Sequence, residues 1–318
     1  MLDFYYAPTP NGWKVAIMLE ECGLRYNTIL VKLTDGAQFA PQFLKISPNA
    51  KIPAIVDHDP PEGHEGSVSV FESGAIMIYL AEKSGQFMPA DGNLRKEAME
   101  WLFWQVGNQG PMGGQHSHFF NYAPPLKDKG HEYSVNRYKG EFERSLAVLN
   151  IRLHGRAYIL GNEYTIVDMI SFPWAFIAKS MGVSLDDFPN IADWRSRIKT
   201  RPAVKNAINL YKNMQNRGPN KVTAETNKIL YNQSATIFQT SKPWACCSGL
   251  DAYVLSVQHR WMKPKLTPDR NLSLEAVRGT EAAAIAAALH MGGGDEKIAD
   301  EAAVGAMQQA LNTFHIDG

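Results

Sequence analysis

Apolar and polar positions along the first 86 residues change between two periods, and each change predicts a new secondary-structure element. Short apolar runs predict strands at residues 2–6, 25–31, 53–57 and 68–71. Helical spacing predicts helices from Trp13 to Gly23 and from Ser73 to Leu80, with a short linking helix at residues 41–45. This order of elements predicts a small α/β domain of the thioredoxin type over residues 1–86.

From about residue 93 the apolar spacing becomes helical, which predicts an all-α domain over residues 87–215. The glycine-rich segment 107–114 is predicted to interrupt a helix that starts near residue 93, and a long amphipathic helix is predicted over residues 133–153. Thr165 and Asp168 form a Thr-x-x-Asp capping box, which we interpret as a structural element that starts a core helix.

The turn Ala7–Gly12 connects the first predicted strand to the first predicted helix. Two prolines stiffen this turn, and Asn11 suits the N-cap position. A helix N-terminus stabilises an anion and favours ionisation of a thiol placed there. The Thr9 hydroxyl and the Asn11 amide can donate hydrogen bonds to such a thiolate, so both are catalytic candidates. Ordinary helix capping is the alternative interpretation of the same residues.

Two further segments offer groups to a peptide-like ligand. A proline that opens an apolar strand fits at its first position, and we expect Pro53 to be cis. This would leave the N–H and C=O of Ile52 free to pair with an extended peptide. Ser73 is predicted to be the N-cap of the next helix, beside the Glu72 carboxylate, which can receive an ammonium group.

Composition narrows the possible function. The 318 residues, 45% hydrophobic, suit two packed domains and a remnant of a third. A formal net charge of zero argues against a nucleic-acid partner, and no apolar run approaches the length of a membrane span. Cys22, Cys246 and Cys247 form no disulfide framework, and no signal peptide is found, so we expect a cytoplasmic protein.

Six stretches together give residues 1–236 a specific resemblance to glutathione S-transferases. They are residues 7–12, 36–39, 46–49, 51–57, 71–76 and 101–107. The Thr-Pro-Asn turn at residues 9–11 resembles the Nu class, which lacks the catalytic Tyr, Ser or Cys of other classes. The resemblance implies a thioredoxin-like domain followed by an all-α domain, a C-terminal arm at residues 216–236 that packs over the helical domain, glutathione as cosubstrate and a homodimer.

The same resemblance implies a role for each candidate residue. Thr9 and Asn11 would contact the glutathione sulfur, and Ile52 would pair with the cysteinyl backbone. The other residues with an implied role are Glu72 and Ser73 for the γ-glutamyl group, Gln38 and Lys51 for the rest of the tripeptide, Arg137 for a carboxylate, and His116 and His118 for the substrate pocket. The alternatives are a loop position for Gln38 and surface charges for Lys51 and Arg137. His116-x-His118 suggests a metal site, but no matching ligand lies close by in the sequence, so we predict none.

The last 82 residues have a different pattern. Residues 237–268 lack regular spacing and are predicted to be a linker, whereas residues 269–318 predict two helices. This last segment resembles the truncated N-terminus of a class II fructose-1,6-bisphosphatase at residues 269–275, 280–283, 294–297 and 299–304. Asp300 falls at the first metal-binding carboxylate of that family, and the other ligands are absent. We therefore expect a gene junction or truncated fusion without phosphatase activity.

The resemblance thus implies a glutathione-dependent enzyme, and the sequence leaves several reactions open. One is reduction of a small disulfide by thiol exchange with glutathione, which the Thr-Pro-Asn turn favours. Another is transfer of glutathione to an electrophile. A glutathione lyase acting on aryl ethers and a non-enzymatic glutathione-binding regulator are further alternatives on the same fold.

Overall fold

The computed structural model describes residues 1–123 and 129–214 together with Ile229, and these belong to one compact unit, Met1–Ser241. The predicted linker 237–268, the predicted helical fragment 269–318 and the cysteines at positions 246 and 247 lie outside the described residues. Of the predicted arm, the structure describes Ile229, which lies near Gly36: a Cβ on Gly36 would stand 3.4 Å from the Ile229 Cγ2. This contact is with the N-terminal domain, whereas the arm was expected over the helical domain.

A four-stranded sheet forms the centre of the N-terminal domain, with the strand order β2-β1-β3-β4. The strands are β1 (Leu2–Tyr6), β2 (Tyr26–Leu30), β3 (Ala54–Asp57) and β4 (Val68–Phe71). β1 is parallel to β2 and antiparallel to β3, and β3 is antiparallel to β4. The parallel pair needs a crossover connection, which the helix after β1 supplies.

Three α-helices complete this domain, and two of their predicted caps were wrong by one or two residues. The helices are α1 (Pro10–Glu21), α2 (Pro41–Leu44) and α3 (Ser73–Ser84). The N-cap of α1 is Thr9, not Asn11, because Pro10 fits the first helical position and places the cap on the residue before it. The N-cap of α3 is Glu72, since Ser73 is already helical. The thioredoxin-like fold is confirmed.

Six α-helices form the second domain within the described residues, which confirms the all-α prediction. They are α4 (Gly92–Trp104), α5 (Gly110–Ser117), α6 (Lys129–Arg152), α7 (Ile166–Ile177), α8 (Pro189–Lys199) and α9 (Pro202–Met214). α1 packs against α3, α7 and α9, so it joins the two domains. In the described part of the chain, no helix combines the length and apolar character of a membrane span.

The predicted interruption at residues 107–114 was wrong, because this segment stays helical. A π-helical stretch, Gln105–Gln109, joins α4 directly to α5, and a second one, His118–Tyr122, follows α5. The glycines have a packing role instead: a Cβ on Gly113 would stand 2.7 Å from the Trp174 Cε3. Their small size lets α5 approach the Trp174 ring on α7.

The predicted capping box is present at the start of α7. The Asp168 carboxylate is fully buried and accepts hydrogen bonds from the Thr165 N–H at 3.0 Å and the Ile159 N–H at 2.9 Å. It also accepts from the Trp194 indole at 2.9 Å. Burial raises the pKa of Asp168 to about 6 despite these donors. These contacts tie α7 to α8, so the residue acts in the scaffold of the helical domain.

Candidate active site

A cleft of about 1280 Å³ lies between the two domains and gathers most of the residues singled out from the sequence. The N-terminal domain contributes the turn after β1, the segment 30–34, the loop 47–53 and the start of α3. The helical domain contributes parts of α5, the π-helical stretch His118–Tyr122 and α7. The candidate residues that line this cleft are Thr9, Asn11, Gln38, Lys51, Ile52, Pro53, Glu72, Ser73 and His118.

The turn before α1 brings Thr9 and Asn11 to the same wall of the cleft. The Thr9 Oγ1 accepts a hydrogen bond from the Gly12 N–H at 3.2 Å, so its hydroxyl proton is available to a ligand. Gly12 is required here, because a Cβ would stand 2.3 Å from the Ala7 carbonyl oxygen. The turn therefore places a helix N-terminus and two polar side chains at one point of the cleft.

The Asn11 side chain has a partner that the sequence did not predict. Its Oδ1 accepts a hydrogen bond from the Trp174 Nε1 at 3.3 Å, across 163 positions of sequence. Trp174 is 5% exposed and lines the cleft from α7. The catalytic candidate on the N-terminal domain is therefore fixed by a side chain of the helical domain.

The loop before β3 presents backbone groups to the cleft. The Ile52–Pro53 peptide bond is cis, as expected. Within the described residues, no hydrogen bond engages the N–H or C=O of Ile52, whereas the Lys51 C=O accepts from the Ser47 hydroxyl at 2.7 Å. The loop thus offers an unpaired donor and acceptor of one residue, the arrangement that an extended peptide can pair with.

The start of α3 forms the next part of the same wall. Glu72 has a φ of 69°, in the left-handed region that a non-glycine residue rarely adopts, and its side chain is exposed. Backbone strain of this kind is frequent at ligand-binding positions. Ser73 is buried at the first position of the helix, beside the free N–H groups of its N-terminus. The pair offers a carboxylate and helix N–H groups close together.

A buried lysine lies beneath this wall and was missed by the sequence analysis. Lys14 on α1 is 2% exposed, and its Nζ donates to the Gln105 Oε1 at 2.8 Å and to the Ser73 Oγ at 3.4 Å. Burial lowers the pKa of Lys14 to about 7, and the neighbouring Glu72 charge opposes that shift. The available signal was its spacing: Lys14 follows Asn11 by three positions, on the same helix face.

Gln38 and Lys51 occupy opposite environments at the cleft. Gln38 is 4% exposed, and its Oε1 has no hydrogen-bond partner in the structure. Lys51 is exposed at the rim. A buried amide oxygen without a partner is costly, so Gln38 suits contact with a ligand N–H. Lys51 suits a carboxylate of the same ligand.

Of the two histidines predicted to line the pocket, the structure places one there. His118 lines the cleft, and burial lowers its pKa. The prediction for His116 was wrong: it is 0% exposed, and its Nε2 donates to the Met181 C=O at 2.8 Å. Because residues two positions apart on a helix point to opposite sides, one histidine faces the cleft and the other faces the core.

Arg137 is not brought to the cleft. Its side chain is 53% exposed on α6, and its guanidinium pairs with Glu141 one turn further along at 2.6 Å. This arrangement matches the surface charge that the sequence left open as an alternative. The helical residues that do line the cleft include Asn121, Trp174, Ile177 and Ser180, none of which the sequence singled out.

The described lining of the cleft contains no cysteine and no group of side chains arranged to hold a metal ion. Cys22 lies outside the cleft lining, its Sγ donates to the Ser84 Oγ at 3.3 Å, and burial raises the pKa of its thiol. Across residues 1–123 and 129–214, no group of three or more His, Cys, Asp or Glu side chains is arranged to hold a metal ion.

Comparison with family models gives three matches. The glutathione S-transferase N-terminal domain matches residues 2–82, and the glutathione S-transferase C-terminal domain matches residues 116–202. The bacterial fructose-1,6-bisphosphatase family, glpX-encoded, matches residues 270–318. The first two matches cover both sides of the cleft, and the third falls outside the described residues.

Individual proteins similar to this chain give a consistent picture. The disulfide-bond oxidoreductase YfcG of Escherichia coli is 46% identical over 208 residues, which are 65% of this chain and 94% of that protein. A glutathione transferase of Burkholderia graminis, solved with two glutathione molecules per subunit, has a TM-score of 0.62 at 43% identity, with 65% and 87% of the chains covered. A Pseudomonas putida glutathione transferase, solved with one glutathione disulfide per subunit, has a TM-score of 0.60 at 39% identity, with 65% and 90% covered.

Proposed function

The chain belongs to the glutathione S-transferase family, and from this premise we propose that it is a glutathione-dependent enzyme that reduces small disulfides. The observation that carries the proposal is the turn at α1, where a helix N-terminus, the Thr9 hydroxyl and the Asn11 amide meet in a cleft whose described lining contains no cysteine. A thiol that reacts in this cleft is therefore supplied by a ligand, and the turn suits its thiolate form.

The described cleft offers one partner for each part of glutathione. The free N–H and C=O of Ile52 pair with the cysteinyl backbone, which places the thiol toward Thr9 and Asn11. Glu72 takes the γ-glutamyl ammonium, and the α3 N-terminus at Ser73 takes the adjacent carboxylate. Gln38 and Lys51 bind the rest of the tripeptide. All of these residues line the same cleft, which supports their assignment to one ligand.

The reaction proceeds by two thiol–disulfide exchanges. The bound glutathione thiolate attacks one sulfur of the substrate disulfide, forming a mixed disulfide and releasing the other half as a thiolate that takes up a proton. A second glutathione thiolate then attacks the glutathione sulfur of the mixed disulfide. Glutathione disulfide and the second substrate thiol leave, so that two glutathiones are oxidised for each disulfide reduced.

We also assign the chain to the Nu class, to a homodimer and to the cytoplasm. The class assignment rests on the Thr-Pro-Asn turn at residues 9–11. The dimer is supported by exposed apolar side chains on β4 and α4, where Phe71 is 38% and Phe103 is 64% exposed. The cytoplasmic assignment rests on the three cysteines, which form no disulfide framework.

Transfer of glutathione to an electrophile is the second candidate. The helical wall carries Trp174, Ile177 and Tyr122, which suit an apolar or aromatic cosubstrate beside the thiolate. Cleavage of aryl ethers by a glutathione lyase would use the same wall. A glutathione-binding regulator would need only the side of the cleft that the N-terminal domain forms, and it would show no turnover.

Assays of disulfide reduction and of glutathione conjugation separate the reductase, the transferase and the regulator. We expect turnover of hydroxyethyl disulfide with glutathione to exceed conjugation of chlorodinitrobenzene. Loss of a charge-assisted hydrogen bond costs roughly 1.5–3 kcal/mol, so Asn11→Ala is expected to slow disulfide reduction about ten- to a hundredfold. Asn206→Ala is the matched control, because Asn206 is exposed and bonds to Glu20 outside the cleft.

Three results would count against the proposal. Faster conjugation than disulfide reduction would favour the transferase. Glutathione binding without turnover in either assay would favour the regulator. Unchanged kinetics in both Thr9→Ala and Asn11→Ala would contradict the assignment of these residues to the sulfur.

A further inference from the structure

The contact between Trp174 and Asn11 determines which end of the Asn11 amide faces the cleft. An indole N–H only donates, so the atom that it contacts at 3.3 Å has to be the amide oxygen. The Asn11 Nδ2 is then on the other side of the amide, and it has no hydrogen-bond partner among the described residues. The free donor of Asn11 is thereby left for a ligand in the cleft.

The Trp174 ring is itself held in a cradle of glycines on α5. A Cβ on Gly113 would stand 2.7 Å from the ring Cε3, and one on Gly110 would stand 3.5 Å from the Nε1. A Cβ on Gly114 would stand 3.6 Å from the Cη2. With the ring 5% exposed, its N–H has little freedom to turn away from Asn11.

We propose that Trp174 is a positioning residue that holds the Asn11 amide with its NH2 group toward the glutathione sulfur. This inference rests on the proposed function, since it takes Asn11 as a donor to the thiolate. Without the indole, the amide can rotate by half a turn and present its oxygen lone pairs to the thiolate, which repels it. Trp174 thus contributes to thiolate formation from the helical domain without touching the sulfur.

A double-mutant cycle tests this mechanism. We expect Trp174→Phe, which keeps an aromatic ring and removes the N–H, to lower kcat/KM for hydroxyethyl disulfide about fivefold, the effect of one neutral hydrogen bond. It should also raise the pKa of the bound glutathione thiol, followed by thiolate absorbance near 240 nm. In the Asn11→Ala background the same substitution should change neither quantity, because there is no amide left to orient.

Trp194→Phe is the matched control for loss of a buried indole hydrogen bond. Trp194 is 1% exposed and donates to Asp168 at 2.9 Å, within the helical domain. Any effect that it has on kinetics arises through folding, so we expect it to be of equal size with and without Asn11→Ala. An equal effect of Trp174→Phe in both backgrounds would show a merely structural role and overturn the inference.

Two further outcomes separate this inference from the proposed function. If Asn11→Ala slows turnover but Trp174→Phe does not, the inference fails and the proposed function stands. If Asn11→Ala has no effect, both fail. Should Trp174→Phe not fold, hydrogen exchange of the Trp174 indole in ¹⁵N-tryptophan-labelled protein replaces it: faster exchange in Asn11→Ala than in the parent supports the contact, and equal exchange contradicts it.

Discussion

The two walls of the cleft are built in different ways. The wall from the N-terminal domain consists of short contiguous segments: the turn before α1, the cis-proline loop and the start of α3. Each presents backbone groups or a helix N-terminus, which a few neighbouring residues determine. The helical wall consists of single side chains from α5, the π-helical stretch 118–122 and α7. Their inward orientation depends on how whole helices pack.

This difference suits the two walls to different ligands. Backbone N–H and C=O groups are the same in any sequence that keeps the turn, so the first wall can bind one constant ligand, glutathione. Side chains on packed helices can change without loss of the fold, so the second wall suits a variable cosubstrate. Two long-range contacts join the walls: Asn11 to Trp174, and Lys14 to Gln105 across 91 positions of sequence.

The largest expected effect concerns Lys14, where the two walls meet. Burial lowers the pKa of its ammonium group to about 7 in the folded chain, against 10.5 for an ordinary lysine. Between pH 7 and pH 10 the unfolded chain therefore holds a proton that the folded chain has released, so stability rises with pH. The slope approaches about 1.4 kcal/mol per pH unit, or about 4 kcal/mol over this range.

Urea unfolding from pH 7 to pH 10 measures the free energy of unfolding of the parent and of Lys14→Met. The stability of the parent relative to Lys14→Met should increase with pH, and that increase is the contribution of Lys14. Lys96→Met is the control, because Lys96 is exposed and pairs with Glu100 on α4, and its curve should run parallel to that of the parent. Parallel curves for Lys14→Met as well would contradict the prediction, because they would show that Lys14 keeps its proton in the folded chain across this pH range.

The next prediction separates two histidines of the helical domain, His116 in the core and His118 in the cleft. His116→Ala removes a buried ring packed against Phe120 and Phe142, together with its bond to Met181, and should cost about 2–4 kcal/mol of unfolding free energy. His118→Ala should change stability by less than about 1 kcal/mol but raise KM for the disulfide about fivefold, the effect of one hydrogen bond.

Thermal unfolding and steady-state kinetics on the same preparations test this pair. The KM of folded His116→Ala should equal that of the parent, measured below its melting temperature. If His116→Ala raised KM and left stability unchanged, His116 would belong to the cleft. The distinction between a core-facing His116 and a cleft-facing His118 would then fail.

The sequence predicted the first wall well because its information is local. Pro53 opens a strand, Thr9 to Asn11 form a turn, and Glu72 precedes a helix, each within a few residues. The errors there, the caps at Asn11 and Ser73, were of one or two positions, because the fixed φ of Pro10 and the left-handed Glu72 shift the start of each helix.

The second wall was beyond such reasoning because helical spacing gives a period but not a partner. The sequence pattern does not distinguish His116 from His118, because the packing of α5 against α6 determines which one is buried. The glycine-rich segment 107–114 was predicted to interrupt a helix, because the sequence does not show that Gly110, Gly113 and Gly114 pack against the Trp174 ring. Lys14 was missed for the same reason: its neighbours Gln105 and Ser73 come from two other helical segments.

The smallest expected effect concerns Arg137, the candidate that the fold leaves outside the cleft. Its guanidinium is exposed, paired with Glu141 and outside the cleft lining, so Arg137→Gln should change KM for glutathione less than about twofold. Lys51→Gln is the comparison at the rim of the cleft, where loss of the cation that we propose binds a glutathione carboxylate should raise KM several-fold. A tenfold rise in KM for Arg137→Gln with unchanged stability would contradict this expectation. Glutathione would then be held by the helical domain as well, and the division of the cleft into a constant wall and a variable wall would fail.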